Sequence, residues 1–347
     1  MKYKTVAYKG SKRKLLTDIE VIANDIGART IFDGFSGTGI VSAHLRHKGF
    51  QVDANDISES AYIFGSVFLQ GYNKETVKEL VTELNNIEPE RGWLTENYSG
   101  TCKRKIRGTG GEIQERPLGY TVSNAMKLDA ARDFVHNLDI KDNDKRALIF
   151  SVILAADSVF NNSNDQKSSL KEWQTKSLKD VVFEVPTFID GFDGIQYKGN
   201  ILEASLGSYD MVYLDPPYTH GVLYDSCYHL NDSIAKWDKP KLDYDYALPR
   251  PESICYRKNG QTAGMFYNKS TAKECFAKIA DKFDCKRLVL SYSDAPRNTL
   301  TIEELWDIFS SRGKCYIRTK NHKICTQPKS MNKISTNLKE YFIIIDT

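Results

Sequence analysis

The stretch "SYDMVYLDPPYTHG", residues 208–221, decides how this chain is read. Met211-Val212-Tyr213-Leu214 has the pattern of a buried strand, and it ends in Asp215-Pro216-Pro217-Tyr218. Proline has a fixed φ and no N–H, so the pair makes a rigid turn whose carbonyls accept hydrogen bonds without a competing donor beside them. Asp215 adds a carboxylate acceptor and Tyr218 a flat ring. Acceptors in a fixed arc next to a ring suit a planar ligand bearing an NH₂ group, such as a nucleobase. Ligands of open α/β sheets bind at the carboxyl ends of the strands, which is where Asp215 falls. The plain alternative is a proline turn capped by an aspartate, with Tyr218 packed on the surface.

Upstream, Thr30-Ile31-Phe32-Asp33 reads as a short buried strand, broken by Gly34-Phe35-Ser36-Gly37-Thr38-Gly39 and followed by a helix. Glycines let a ligand approach the backbone, and the helix N-terminus behind them presents unpaired N–H groups. The next strand, residues 51–56, ends in Asp56, where an acid in a doubly wound fold bonds the ribose of an adenosine-containing cofactor. The glycine spacing (34, 37, 39) is not that of the dinucleotide turn. It points away from a pyrophosphate and toward S-adenosylmethionine.

Helical spacing over 12–26 (Leu15, Leu16, Ile19, Ile22, Ile26) predicts one helix before this unit. Residues 191–347 alternate strands, near 194–200, 210–215, 287–293, 314–320 and 340–345, with helices near 231–236, 270–283 and 301–311. That alternation predicts a mostly parallel sheet covered on both faces. Three segments follow: 1–60 and 191–347 as two parts of a catalytic domain, and 61–190 as a mostly helical insertion. A polar loop is expected at 219–268.

Composition sets outer bounds. The 347 residues are 41% hydrophobic and 27% charged, with a net charge of +3, as in a globular protein for which nucleic-acid binding is permitted but not demanded. No apolar run is long enough to span a bilayer, and the first residues lack a signal-peptide core, so a cytoplasmic protein is expected. Seven cysteines without a Cys-x-x-Cys pair suggest a reduced chain with no structural zinc. His44 and His47 form the one close histidine pair, and no metal site is expected.

These residues resemble the D12 class of DNA adenine-N6 methyltransferases, the α group that includes the Dam methylases. Asp-Pro-Pro-Tyr at 215–218 is similar to the catalytic motif of that family, "FDGFSGTG" at 32–39 to its cofactor loop, and Asp56 to its ribose-binding acid. "AYKGSKRKLL" at 7–16 resembles its N-terminal element, with Ser11 where a second glycine is common. "YHLNDSIAKWDKP" at 228–240 and "EYFIII" at 340–345 resemble further segments. The order of the pieces, with a long insert before Asp-Pro-Pro-Tyr, is that of the α group.

The resemblance implies a Rossmann-like S-adenosylmethionine-dependent methyltransferase fold with an inserted target-recognition region. It implies that Tyr8, Lys12, Phe35, Ser36, Gly37, Gly39, Asp56 and Asp215 contact S-adenosylmethionine or frame its pocket, joined by Asn200 where an aspartate is usual. The target adenine would be flipped from the duplex. Tyr218 would stack on it, while Asp215 and the Pro216 carbonyl bind N6 as an amine, with no general base of shifted pKa and no covalent intermediate. Pro217 completes the motif.

Double-stranded DNA is the expected partner. Lys103, Arg104, Lys105 and Arg107, and Arg257 and Lys258 in a loop with Arg250 and Lys269, are the candidate phosphate contacts. A solvated charged loop is the bland reading of each run. A monomer is expected, with a cognate restriction endonuclease that acts on the same site without forming a stable complex. The competing readings are another exocyclic amine (an RNA base or cytosine N4) and a nucleic-acid-binding module without catalysis.

Overall fold

The computed structural model describes residues 3–105, 113–162, 165–219, 224–255, 265–323 and 337–347. After a 3-10 turn at Lys12–Lys14 come α1 (Leu16–Asp25), β1 (Thr30–Asp33), α2 (Ile40–His47) and β2 (Gln51–Asp56). The single helix expected over 12–26 is broken at Leu15, whose φ of −111° and ψ of 0° are not helical. The middle of the chain holds α3 (Glu59–Gln70), α4 (Lys74–Asn86), α5 (Trp93–Tyr98), the hairpin strands β3 (Thr101–Lys105) and β4 (Ile113–Pro117), α6 (Val122–Asn137) and α7 (Asp142–Val159). Then follow β5 (Gln196–Lys198), β6 (Tyr209–Leu214), α8 (Tyr224–Lys236), the short pair β7 (Leu242–Asp243) and β8 (Arg250–Pro251), and α9 (Glu252–Cys255). The chain ends with α10 (Lys269–Ala280), β9 (Cys285–Ser293), α11 (Ile302–Ser310), β10 (Lys314–Lys323) and β11 (Asn337–Asp346).

Side-chain caps fix several helix starts. Ser58, Asn73, Thr121 and Asn268 each accept a backbone N–H of the first turn, and Thr301 and Glu304 form a reciprocal capping box.

The main sheet has the order β10-β11-β9-β6-β1-β2-β5. β5, β2, β1, β6 and β9 run parallel, while β11 is antiparallel to both β9 and β10. The chain steps from β1 outward to β2 and β5, then returns to the other side of β1 as β6. The carboxyl ends of β1 and β6 are therefore the switch point, the ligand crevice of such sheets.

Alternation along the strands gives the sheet two covered faces. Ile31, Met211, Tyr213, Val289, Phe342 and Ile344 join one hydrophobic cluster. Phe32, Val212, Leu214, Leu288, Leu290 and Ile343 join the other, together with α10 and α11. The first cluster runs without a break into α1, α2, α3, α6 and α7. The expected segment boundary at residue 61 falls inside α3, which packs on β2, β5 and α7; its Phe64 ring lies 4.7 Å from that of Phe150. The middle helices thus share the core of the sheet.

The polar loop expected at 219–268 is folded over much of its described length. In α8, Cys227, Leu230 and Ile234 are fully buried, as are the polar His229 and Asn231. Gln166 accepts the N–H groups of Leu230 and Asn231 (2.9 and 3.2 Å) and donates to the Asn231 side chain (2.7 Å). Arg132 donates to the carbonyls of Ile234 and Ala235 at the other end (2.7 and 3.0 Å). These polar residues are internal and bonded to partners from the middle of the chain, His229 through Nε2 to the Gln166 carbonyl (3.1 Å) while its Nδ1 has no partner.

Candidate active site

The glycine turn after β1 is tied to both neighbouring strands. Gly34 N–H donates to the Tyr213 carbonyl (2.9 Å) and Ser36 N–H to that of Asn55 (3.0 Å). Gly37 and Gly39 have φ of 51° and 71°, the left-handed region that favours glycine. A Cβ on Gly39 would also come within 2.9 Å of Phe68. Phe35 turns the other way, edge-on to Phe266 at 5.4 Å.

Asp56 closes this turn from the end of β2. One carboxylate oxygen accepts the Gly37 N–H (2.8 Å) and the other the Ser58 N–H (3.0 Å). Burial nevertheless raises its pKa, against the pull of those two donors. Tyr8 lies over the same turn, 3.5 Å from where a Gly37 Cβ would be. Its ring stacks on Tyr228 (4.2 Å between centroids, 13° between planes), whose hydroxyl accepts the Lys9 N–H (2.6 Å). Asn200 sits beyond β5, next to Gly199, whose N–H reaches the Asp56 carbonyl (3.0 Å). Its own amide is engaged locally, accepting from Leu202 N–H (3.1 Å) and donating to Glu203 (2.9 Å).

Asp215 follows β6 at the same edge. The Lys12 ammonium lies 2.8 Å from its Oδ1, 3.3 Å from Glu340 Oε1 and 5.6 Å from the centroid of the Tyr218 ring. Lys12 is 6% exposed and Glu340 2%. Burial pulls the Lys12 pKa down, but Asp215, Tyr218 and Glu340 overrule it, and the group stays protonated well above its ordinary range. Burial pushes the Asp215 carboxyl up to about 6; Lys12 opposes the rise and Glu340 adds to it. The unshifted carboxylate expected from the sequence is thus shifted, though it remains ionised at neutral pH.

Asp33, at the end of β1, is buried (1% exposed) and pushed up to about 7, chiefly by desolvation. Its Oδ2 accepts the Ser42 hydroxyl (2.6 Å), and its Oδ1 has no protein partner. Pro216 and Pro217 carry the chain from Asp215 to Tyr218. The Tyr218 ring lies 4.2 Å from that of Tyr292, tilted by 40°, and its carbonyl accepts the Thr299 N–H (3.0 Å). Burial raises the pKa of its hydroxyl far above the ordinary range, so Tyr218 stays neutral.

Two carboxylates, Asp215 and Glu340, therefore meet one lysine, a net negative charge that suits a cationic ligand. The glycine turn and the Tyr8 ring over it are placed to frame its uncharged part. Two surface hollows, of about 290 and 440 Å³, are lined by other residues, the second at the opposite edge of β1 and β2.

The structure thus brings together Tyr8, Lys12, the 34–39 turn, Asp56, Asp215 and Tyr218, with Asn200 at the margin. Sequence reasoning missed Glu340, Asp33 and the Tyr228 partner of Tyr8. Glu340 had a signal: it shares the strand parity of Phe342 and Ile344, which are core residues, so an acid there points inward. Among the charged candidates, Lys103 is exposed on β3. Arg104 and Lys105 lie on the same strand, and their side chains fall outside the described residues, as do Arg107, Arg257 and Lys258 altogether. Arg250 donates to the Lys167 carbonyl (3.0 Å) and stacks over Tyr246 at 4.1 Å, while Lys269 is exposed at the start of α10. Among the described residues no group of three metal-ligating side chains occurs, and His44 pairs with Glu20 (2.8 Å). No described helix is long and apolar enough to cross a membrane.

Comparison with known proteins bears on what this site serves. The family model of the D12 class N6 adenine-specific DNA methyltransferases matches residues 8–250. The chain is 27% identical over 321 residues to Type II methyltransferase M.NlaIII of Neisseria lactamica, covering 88% of each chain. It is 28% identical to Type II methyltransferase M.FokI of Planomicrobium okeanokoites, of which it spans 46%. It is 23% identical to Type II methyltransferase M.CviAII of Paramecium bursaria Chlorella virus 1, over 98% of both. Among solved structures it is similar to magnesium protoporphyrin IX methyltransferase of Synechocystis PCC 6803, crystallised with bound S-adenosylmethionine, at 11% identity and a TM-score of 0.34 over 96% of this chain and 79% of that one. That likeness is too slight to add to the strand order described above. The match over residues 8–250 spans the glycine turn, Asp56 and Asp215–Tyr218 alike, and the chain belongs to the D12 class of N6 adenine-specific DNA methyltransferases, S-adenosylmethionine-dependent enzymes that methylate DNA at specific sites.

Proposed function

We propose that Asp215, Pro216, Pro217 and Tyr218 are the groups that hold the target adenine for transfer to N6. The observation that carries this reading is the pair of buried Lys12 with partly buried Asp215 beside the Tyr218 ring, at the switch point of the sheet and next to the glycine turn. S-adenosylmethionine supplies an electrophilic methyl on a sulfonium when bound. Tyr8, Phe35, Ser36, Gly37, Gly39 and Asp56 would hold its uncharged part, Asp56 through the ribose and Asn200 through its remaining acceptor capacity. The two carboxylates of Asp215 and Glu340 against one ammonium fit its positive charge.

Asp215 has Oδ1 engaged by Lys12, which leaves Oδ2 to accept a hydrogen bond from the adenine amine. The Pro216 carbonyl accepts a hydrogen bond from the second N–H of that amine. Both contacts draw electron density onto a nitrogen whose lone pair is otherwise spread into the ring. The neutral Tyr218 ring, backed by Tyr292, supplies a stacking surface for a base taken out of the duplex. Holding amine and methyl in line supplies roughly several kcal/mol of the barrier reduction.

We read the helical middle of the chain as the region that selects the DNA site, with Lys103 and its neighbours on the β3–β4 hairpin contacting phosphates. The relatives are Type II methyltransferases, so the chain is read as the modification partner of a restriction endonuclease that meets the same site without a stable complex, and as a monomer. Methylome sequencing of a host expressing the chain tests the reading. N6-methyladenine at one recurring site, absent with Asp215→Ala, is expected. Cytosine methylation, or methyl transfer only to RNA, contradicts it.

A further inference from the structure

We propose that Glu340 is a positioning residue for methyl transfer: by taking one hydrogen of the Lys12 ammonium, it fixes that ammonium on a single oxygen of Asp215. The inference rests on Asp215 being the amine acceptor. Lys12 Nζ lies between the two carboxylates, 2.8 Å from Asp215 Oδ1 and 3.3 Å from Glu340 Oε1. Glu340 Oε1 is held in turn by the Ser291 hydroxyl at 2.6 Å. Its backbone is clamped on both sides, since Glu340 pairs with Ser293 of β9 and with Lys320 of β10.

The chemistry explains why a second carboxylate is useful there. A lysine ammonium is a compact charge on a flexible stem with three donors. With one carboxylate as its partner it can slide across both oxygens of that group. A second acceptor on a rigid strand gives it a direction, so that Oδ1 is occupied and Oδ2 left open. Two carboxylates against one ammonium also leave a net negative charge, so Lys12 does not quench Asp215 as an acceptor. A buried carboxylate in an apolar strand is costly unless paired. Its neighbours on that face, Phe342 and Ile344, are fully apolar and buried, so packing alone gives no reason for an acid at this position.

The test is a double-mutant cycle on the whole chain with Glu340→Met, Lys12→Met and both together, alongside Ser291→Ala and Asp215→Ala. Single-turnover methyl transfer is measured at saturating DNA and S-adenosylmethionine, with calorimetric affinities for each ligand and a melting curve to confirm folding. Glu340→Met, which removes the acceptor at similar volume, is expected to slow transfer about tenfold and to leave both affinities within about threefold, which separates the chemical step from binding. In the Lys12→Met background it should add less than about twofold, because its effect passes through Lys12. Ser291→Ala should slow transfer in the same direction by a smaller factor. Penalties that multiply, a loss confined to cofactor affinity, or a Glu340→Met rate equal to wild type would overturn the proposal. If Asp215→Ala itself retains activity, the reading of the active site fails instead.

Discussion

Asp56 and Asp215 end strands on either side of β1, at the same edge of the sheet, yet they are held in opposite ways. Asp56 is fixed by two backbone N–H groups, one of them from the glycine turn it faces. Asp215 is fixed by a lysine from the start of the chain, shared with a glutamate from its last strand. Backbone donors stay in place whatever the neighbouring side chains are. An ammonium between two buried carboxylates depends on each of them. The side proposed for the cofactor is therefore built locally and should degrade gradually, while the side proposed for the base is assembled from remote pieces and should fail sharply.

A loss of both stability and rate tests the second half of that contrast. Lys12→Met leaves Asp215 and Glu340 facing each other without a cation. A stability loss of roughly 3 kcal/mol is expected in denaturant unfolding, as for breaking a buried ion pair. Transfer should also slow by about 100-fold in single turnover, because a raised Asp215 carboxyl is then protonated more of the time. At Tyr218 the ring is separable from the hydroxyl. Tyr218→Phe should stay within about threefold of wild type, and Tyr218→Ala should lose about 100-fold, as base stacking on an aromatic is worth roughly 1–3 kcal/mol.

Smaller effects are expected on the Asp56 side. Asp56→Ala should weaken S-adenosylmethionine binding by about tenfold in calorimetry and leave transfer at saturating cofactor within about fivefold, a loss of uniform binding. A similar fall in the transfer step would erase the contrast between the two acids.

pH sharpens it further. In the proposed role Asp215 acts as a carboxylate, and burial pushes it up to about 6, so the single-turnover rate should fall as pH drops through about 6 and level off above it. Stability follows the opposite sign at Asp33. Its folded pKa, about 7, is raised above the ordinary 3.8, so its contribution is fully present below the ordinary value and lost as pH rises through about 7. Asp33→Asn keeps an acceptor for Ser42 and should flatten that decline, by roughly 2–3 kcal/mol between pH 5 and 8. Parallel wild-type and variant unfolding curves across that range would contradict it.

The same contrast governs what could be read from the sequence. The glycine turn, Asp56 and Asp-Pro-Pro-Tyr are short, contiguous signals, and the strands around them carry clear apolar runs. Each is decided by residues within a few positions of one another. Glu340 and α8 are different. The strand of Glu340 was legible, but its partner Lys12 lies at the other end of the chain, and only the register of β11 against β9 aims it inward. In α8, where a helix was expected only near 231–236, the buried polar His229 looks like a loop residue until Gln166 is brought alongside. The continuity of the core from the sheet into α7 was hidden for the same reason, because the packing of α3 on α7 is not encoded in the periodicity of either helix.

The central claim is that Asp215 accepts the adenine amine during transfer of a methyl group from S-adenosylmethionine. Single-turnover transfer to a duplex bearing the recognised site, wild type against Asp215→Ala, tests it most directly when both affinities are measured on the same samples. The account predicts a rate at least about 1000-fold lower for the variant, with DNA and cofactor still bound within about fivefold. A variant rate within tenfold of wild type would contradict it.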